Sequence, residues 1–382
     1  MRCSVAAAMA VLLIASAVPM PGAAQAGDPV DPVSSSATGA PATVGPADPI
    51  RDLAPLVVSG VQPGPALWKV SRGGHVMWVL GLVAPLPREM EWRSTEVEQV
   101  IAQADAVLQA PVWAVNSDVG VFKGLSLLPA ALRARRNPDR AELADVLPAT
   151  LHARWEVQKD RYLGWEPGIE RWRPMFAAEK LERKAMERLG LDGEVVAPVI
   201  AAAAKRSGVE QVRVVLETKV EAPRELLKRF NGADLDDVAC LERTVDRLEN
   251  ELPMLVARAN AWAVGDLAEL RRLPQGNPLS SCLTTVLQSE LGRSLGYADM
   301  EARMRDTWLQ AAQKALAEHA VSLAMLPMRQ VLGGDGYLAA LERRGFTVLA
   351  PDASDEVGLS EDTSPRDEAG TGSQVSRDSS PE

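Results

Sequence analysis

The hydrophobic positions change their period several times along the chain, and each change predicts an element. Ala66–Ser71 and Val76–Val83 are short, largely apolar runs on either side of a polar Arg72-Gly73-Gly74-His75 turn, the pattern of a hairpin of buried strands. In Glu96–Ala104 the apolar residues Val97, Val100, Ile101 and Ala104 recur at helical spacing. Ala106–Val115 returns to strand character, so strand, helix and strand follow one another as in an α/β layer. From Pro174 to Leu189 one helical face carries Met175, Phe176, Ala178, Leu181, Ala185 and Leu189, and Gly190 supplies the stop. Val195–Arg206 predicts a helix interrupted by Pro198, Gln211–Leu216 a strand, and Val238–Val264 a long helix kinked at Pro253. Helices over Asp266–Arg272 and Met300–Glu318, a strand over Val321–Leu326, a helix over Gly336–Arg344 and a strand over Phe346–Ala350 complete the pattern.

The ends of the chain lack such periods. Arg2, the apolar run Val5–Val18, the breakers Pro19, Pro21 and Gly22, and the small-x-small triplet Ala24-Gln25-Ala26 read as a signal peptide over 1–26. The run is shorter than the ~20 residues of a spanning helix. Cys3 precedes the run instead of following the cleavage triplet, which argues against a lipid anchor. Residues 27–54 are rich in Pro, Gly, Ser, Ala and Thr and read as a disordered linker. Residues 352–382 hold nine acidic side chains and two arginines and read as an acidic, disordered tail. The folded domain is therefore expected over 55–351, in a periplasmic or secreted protein.

Composition sharpens this picture. Ala, Leu, Val and Arg dominate while Phe and Tyr number four and three, which favours helices over an all-β architecture. The net charge is −10, of which the tail supplies −7 (two arginines against nine acids), so the folded part is mildly acidic. Neither a nucleic-acid footprint nor a basic membrane patch is visible in that distribution. After the leader only Cys240 and Cys282 remain, and an oxidising compartment would let them pair and staple two helices together. Two buried thiols are the alternative; two cysteines with no nearby histidine fall short of a zinc site.

Five segments, in order, resemble the TraB/GumN family. They are Ala66–Leu108, Tyr162–Leu181 (YLGWEPGIERWRPMFAAEKL), the VLET of Val215–Thr218, Ala261–Leu273 (AWAVGDLAELRRL) and Val331–Pro351 (VLGGDGYLAALERRGFTVLAP). Together they span nearly the whole domain. The family includes the Tiki-type proteins and is related to the erythromycin-esterase and ChaN-like folds. The resemblance implies an α/β fold: a central mixed β-sheet built from two related halves and surrounded by many helices. It also implies metal-dependent hydrolysis, reported as peptidase activity for the Tiki branch. That site uses two Gly-x-x-His motifs and a Glu at the end of the third strand-like segment. Imidazole and carboxylate hold a divalent cation, which lowers the pKa of a bound water.

This chain departs from that pattern at each ligand. The first motif falls on Gly81-Leu82-Val83-Ala84, with Ala84 in place of His; Gln109 stands where the Glu is expected. The second falls on Pro327-Met328-Arg329-Gln330, with Gln330 in place of His and Pro327 in place of Gly. Alanine cannot bind a metal, and a carboxamide is a neutral donor suited at best to a hard cation. The only histidines, His75, His152 and His319, lie away from these positions, and the odd separation of His75 from Ala84 sets it on the opposite strand face. Glu217 of the VLET strand matches the family and is a candidate cleft residue, with Arg329. Arg305 and Trp308 resemble a family helix motif in which Asn follows the Arg, where Asp306 stands here; they read as packing and hydrogen-bonding residues. Gly333–Gly336 reads as a turn and helix entry, not a phosphate cradle.

Three functions follow from these residues. The first is a non-catalytic binding or regulatory protein of the cell envelope that recognises a peptide or an envelope ligand, with no cofactor. The second is an active metal-dependent hydrolase that uses Glu217 with Gln109, Gln330 or Arg329. The third, suggested by the GumN name, is an accessory protein of envelope polysaccharide production.

Overall fold

The computed structural model describes residues 64–352 apart from 117–120, 192–193, 234, 275–281 and 283–285, and only the backbone of 121–123. The expected leader and linker, and the tail beyond Asp352, lie outside the described residues.

Strands β1 (Leu67–Arg72) and β2 (His75–Leu82) form the expected antiparallel hairpin, with Arg72 opposite His75. Gly73 and Gly74 both have positive φ (60° and 88°), the backbone that a tight two-residue turn between right-twisted strands requires. Helix α1 (Thr95–Gln103) leads to β3 (Ala106–Leu108) and β4 (Val112–Asn116). A helical layer follows: α2 (Val121–Ala134), α3 (Leu143–Val146), α4 (Ala149–Tyr162), α5 (Pro174–Arg188) and α6 (Ala197–Ser207). Strands β5 (Glu210–Val212) and β6 (Val215–Lys219) come next. Then come α7 (Pro223–Asn231), α8 (Asp237–Asn250), α9 (Leu252–Ala263), α10 (Leu267–Arg272), α11 (Glu290–Ser294) and α12 (Met300–Glu318). The described part closes with β7 (Val321–Pro327), α13 (Met328–Leu332), α14 (Tyr337–Glu342) and β8 (Thr347–Leu349).

The main sheet has six strands in the order β5-β3-β7-β2-β1-β8. Neighbours from β5 to β2 run parallel, and β1 is antiparallel to both β2 and β8, so the sheet is mixed, as expected. A second, parallel sheet pairs β4 with β6.

The pattern misjudged several boundaries. Ala106–Val115 and Gln211–Leu216 are each two strands, because their pairing is interrupted. Leu108 lies opposite Val212, yet Val112 lies opposite Val215, so three residues, Gln109–Pro111, face two, Arg213 and Val214. Pro111 has no N–H to give the ladder, and the chain leaves the main sheet there. Val238–Val264 is likewise two helices, with Pro253 in the first turn of α9, and Pro198 opens α6 instead of interrupting it. A proline is tolerated there because its missing N–H has no helical partner to lose.

One hydrophobic core lies around the sheet and includes Val79, Leu80, Leu323, Trp262 and Trp308. A second joins α4, α5 and α8 through Trp155, Leu181 and Leu241. A third lies between α2 and α7 and includes Ala134 and Phe230. Cys240 of α8 is bonded to Cys282, with Cα atoms 5.1 Å apart. Among the described residues, no helix is long and apolar enough to cross a membrane.

Candidate functional site

Four parallel strands bring their carboxyl ends to one edge of the main sheet, the edge where open α/β sheets hold their ligands. There Leu82 lies beside Pro327, and Leu108 lies between Ala324 and Val212. Gly81, Ala84, Gln109, Pro327 and Gln330 all lie in or just past these strand ends. What each touches decides what the edge can do.

Gly81 is packed shut. A Cβ on it would come within 2.6 Å of Met328 Cε and 2.8 Å of its sulfur, and its carbonyl accepts the Trp262 indole N–H at 2.6 Å. Ala84 is exposed, but its carbonyl accepts a bond from Arg258 Nη2 at 2.6 Å. Arg258 is 4% exposed and also donates to the Pro274 carbonyl at 2.8 Å. Burial lowers its pKa, and Glu251 opposes that shift. The Gln109 carboxamide points along the sheet and donates to Gln211 Oε1 at 3.3 Å. Gln330, 8% exposed, turns to α12 and donates to Glu301 Oε1 at 3.3 Å; Arg329 donates to the same oxygen at 3.3 Å.

This arrangement does not fit a divalent metal. One expected ligand has no donor atom, and two neutral carboxamides turn to different neighbours. The charged group at Ala84 is a guanidinium, which repels a cation. The histidines do not compensate. His75 begins β2 and His319 caps α12 just before β7, so both lie at the amino edge of the sheet, away from the carboxyl edge. His75 is thus separated from Ala84 by the length of a strand as well as by its face.

His152 lies in α4. Among the described residues, His152, Glu156 and Glu170 bring their ligand atoms within 4.8 Å of one another. That place is already filled by the Lys159 ammonium, 2.7 Å from Glu156 and 2.8 Å from Glu170.

Glu217 lies on β6, which follows the carboxyl end of β5 after only Arg213 and Val214. It is exposed on β6 and lines a cleft of about 550 Å³ with Thr218, Glu221, Glu225, Tyr297 and Arg303; Gln109, Arg329 and Gln330 are not among the walls. Thr218 accepts the Trp113 indole N–H at 2.8 Å, and Trp113 meets Tyr297 edge-on at 5.4 Å. Burial raises the Tyr297 pKa, and its hydrogen bond with Thr218 opposes the shift.

Trp308 is fully buried against Tyr337, as packing predicts, but its indole N–H has no hydrogen-bond partner among the described residues; Arg305 is part-exposed and lies 3.9 Å from Asp306 as an ion pair. Gly333 ends α13 and Gly336 begins α14, so this segment is the turn and helix entry expected of it. Sequence reasoning did not single out Arg258, Trp262 and Met328, the three side chains that close the edge. The available signal was Trp262, which lies within the family-like AWAVGDLAELRRL segment.

Comparison with known proteins places residues 66–350 in a match to the TraB/PrgY/gumN family. No curated protein and no solved structure matches the chain.

Proposed function

The chain belongs to the TraB/PrgY/gumN family, and from that premise we propose that it is an exported, non-catalytic binding protein of the cell envelope. The observation that carries this reading is Arg258: a buried guanidinium donates to the backbone carbonyl of Ala84, at the position where the family motif has its first histidine. Met328 against Gly81, and the Gln109 and Gln330 carboxamides engaged elsewhere, support it further. Binding is assigned instead to the cleft at β6. Glu217, Glu221 and Glu225 give it acidic walls and Arg229 and Arg303 basic ones, which suits a ligand carrying both charges, such as a peptide. The leader read from residues 1–26 supports export.

The test is elemental analysis of protein purified from the exported fraction, followed by thermal shift with Zn²⁺, Mn²⁺ and Co²⁺ and a peptide-cleavage assay. The expected result is substoichiometric metal, no metal-dependent shift and no cleavage. One metal per chain together with peptide hydrolysis would overturn the proposal.

A further inference from the structure

Helix α2 has two apolar faces and only one is used. Ala131 and Ala134 are buried, and Leu127 and Ala130 pack beside them on the third core against α7. Leu125, Leu128 and Leu132 are 61%, 40% and 39% exposed. At i, i+3 and i+7 they fall within about 60° of one another on the helix, forming one stripe. The charge on this stretch of the chain has one sign. No Asp or Glu occurs between Asp118 and Asp139, whereas Lys123, Arg133, Arg135 and Arg136 do. Arg135 stacks on Trp172 at 3.9 Å, while Arg133 and Arg136 are exposed and carry no ion pair among the described residues. The neighbouring α7 adds exposed Arg224, Lys228 and Arg229 against a single exposed acid, Glu225.

We propose that α2 docks the protein on a bilayer surface with anionic headgroups, the leucine stripe entering the acyl boundary and the arginines pairing with phosphate. An apolar stripe on a helix whose own charges are all cations has the chemistry of an interfacial helix. A second copy fits less well, because a face-to-face pair would set Arg133 and Arg136 against their own kind. The 550 Å³ cleft draws no wall from α2, so this face is separate from the proposed peptide site. The basic patch is assembled by folding: the chain as a whole is acidic, and its cations here come from two helices far apart in sequence.

The test is flotation of the full chain with vesicles of phosphatidylcholine alone or mixed with phosphatidylglycerol, at low and high salt. Binding is expected only with the anionic lipid, and salt should weaken it. Leu125→Glu with Leu132→Glu should reduce it about tenfold or more, from the lost apolar insertion. Arg133→Glu with Arg136→Glu should abolish the preference for anionic lipid. Leu125→Met with Leu132→Met should retain binding, and circular dichroism would verify that each variant is folded. Equal binding to both vesicles, or no binding together with a dimer in light scattering that the Leu→Glu pair dissociates, would overturn the proposal. The latter result would make the face an interface between copies.

Discussion

Glu179, in the middle of α5, has its carboxyl pushed up to about 7, chiefly by burial; Glu182 adds to the shift, while Arg183, Arg135 and Lys180 oppose it. The ordinary value is 4.5, so between about 4.5 and 7 the folded chain binds a proton that the unfolded chain has released. Stability from this group is therefore complete below the ordinary value, is lost as pH rises through about 7, and is constant above it. The full loss is on the order of 3 kcal/mol. Glu179→Gln removes the titration, so the variant should exceed the wild type in stability at pH 8 and match it near pH 4. Urea unfolding of both proteins across that range measures the difference, and a gap independent of pH would refute the assignment. Neither Glu179 nor Arg258 could be recognised from sequence. Each owes its character to burial by elements far away in the chain, whereas Ala84 and Gln330 were singled out by the local spacing of a motif and Gln109 by its place at the end of a strand-like segment.

At the scale of elements, the sequence pattern located the core strands and most of the helices it named, and failed where two elements share one apolar run. The breaks after Leu108 and Val212 depend on each other: a mismatch of three residues against two becomes visible only when the strands are paired. Helix α2 escaped detection because it is apolar on two faces and carries an internal Pro129, so it shows no single stripe. The cysteine pair was legible from its count, two after residue 26, and the bond ties Cys282 back to α8 across a sequence separation of 42. Closing a loop of that length restricts the unfolded chain by about 4 kcal/mol in the entropic account. Cys240→Ser with Cys282→Ser, or reductant added to the wild type, should lower unfolding stability by about 3–4 kcal/mol. Identical denaturation midpoints with and without reductant would show that the bond contributes nothing in solution.

The whole molecule explains why replacing ligands alone should not restore a metal centre. The three family positions come from the ends of β2 and β3 and from the helix after β7, but the group that closes the edge, Arg258, belongs to α9, 174 residues from Ala84 in the sequence. It is held by two backbone carbonyls and by burial, so it stays whatever side chain stands at position 84. A divalent ion at about 6 Å from that guanidinium would meet a repulsion on the order of 5 kcal/mol at an effective dielectric near 20. That corresponds to more than a thousandfold in affinity. The combination Ala84→His, Gln109→Glu and Gln330→His should therefore bind zinc weakly. The same triple change with Arg258→Gln, which keeps a donor for one of the two carbonyls, should bind it at one per chain and at least a hundredfold more tightly, the remainder being lost to Met328 packed against Gly81. Competition titration against a chromophoric chelator measures both variants. Tight zinc binding by the triple variant with Arg258 in place would mean that the missing ligands alone, and not the guanidinium, keep a metal from this edge of the sheet.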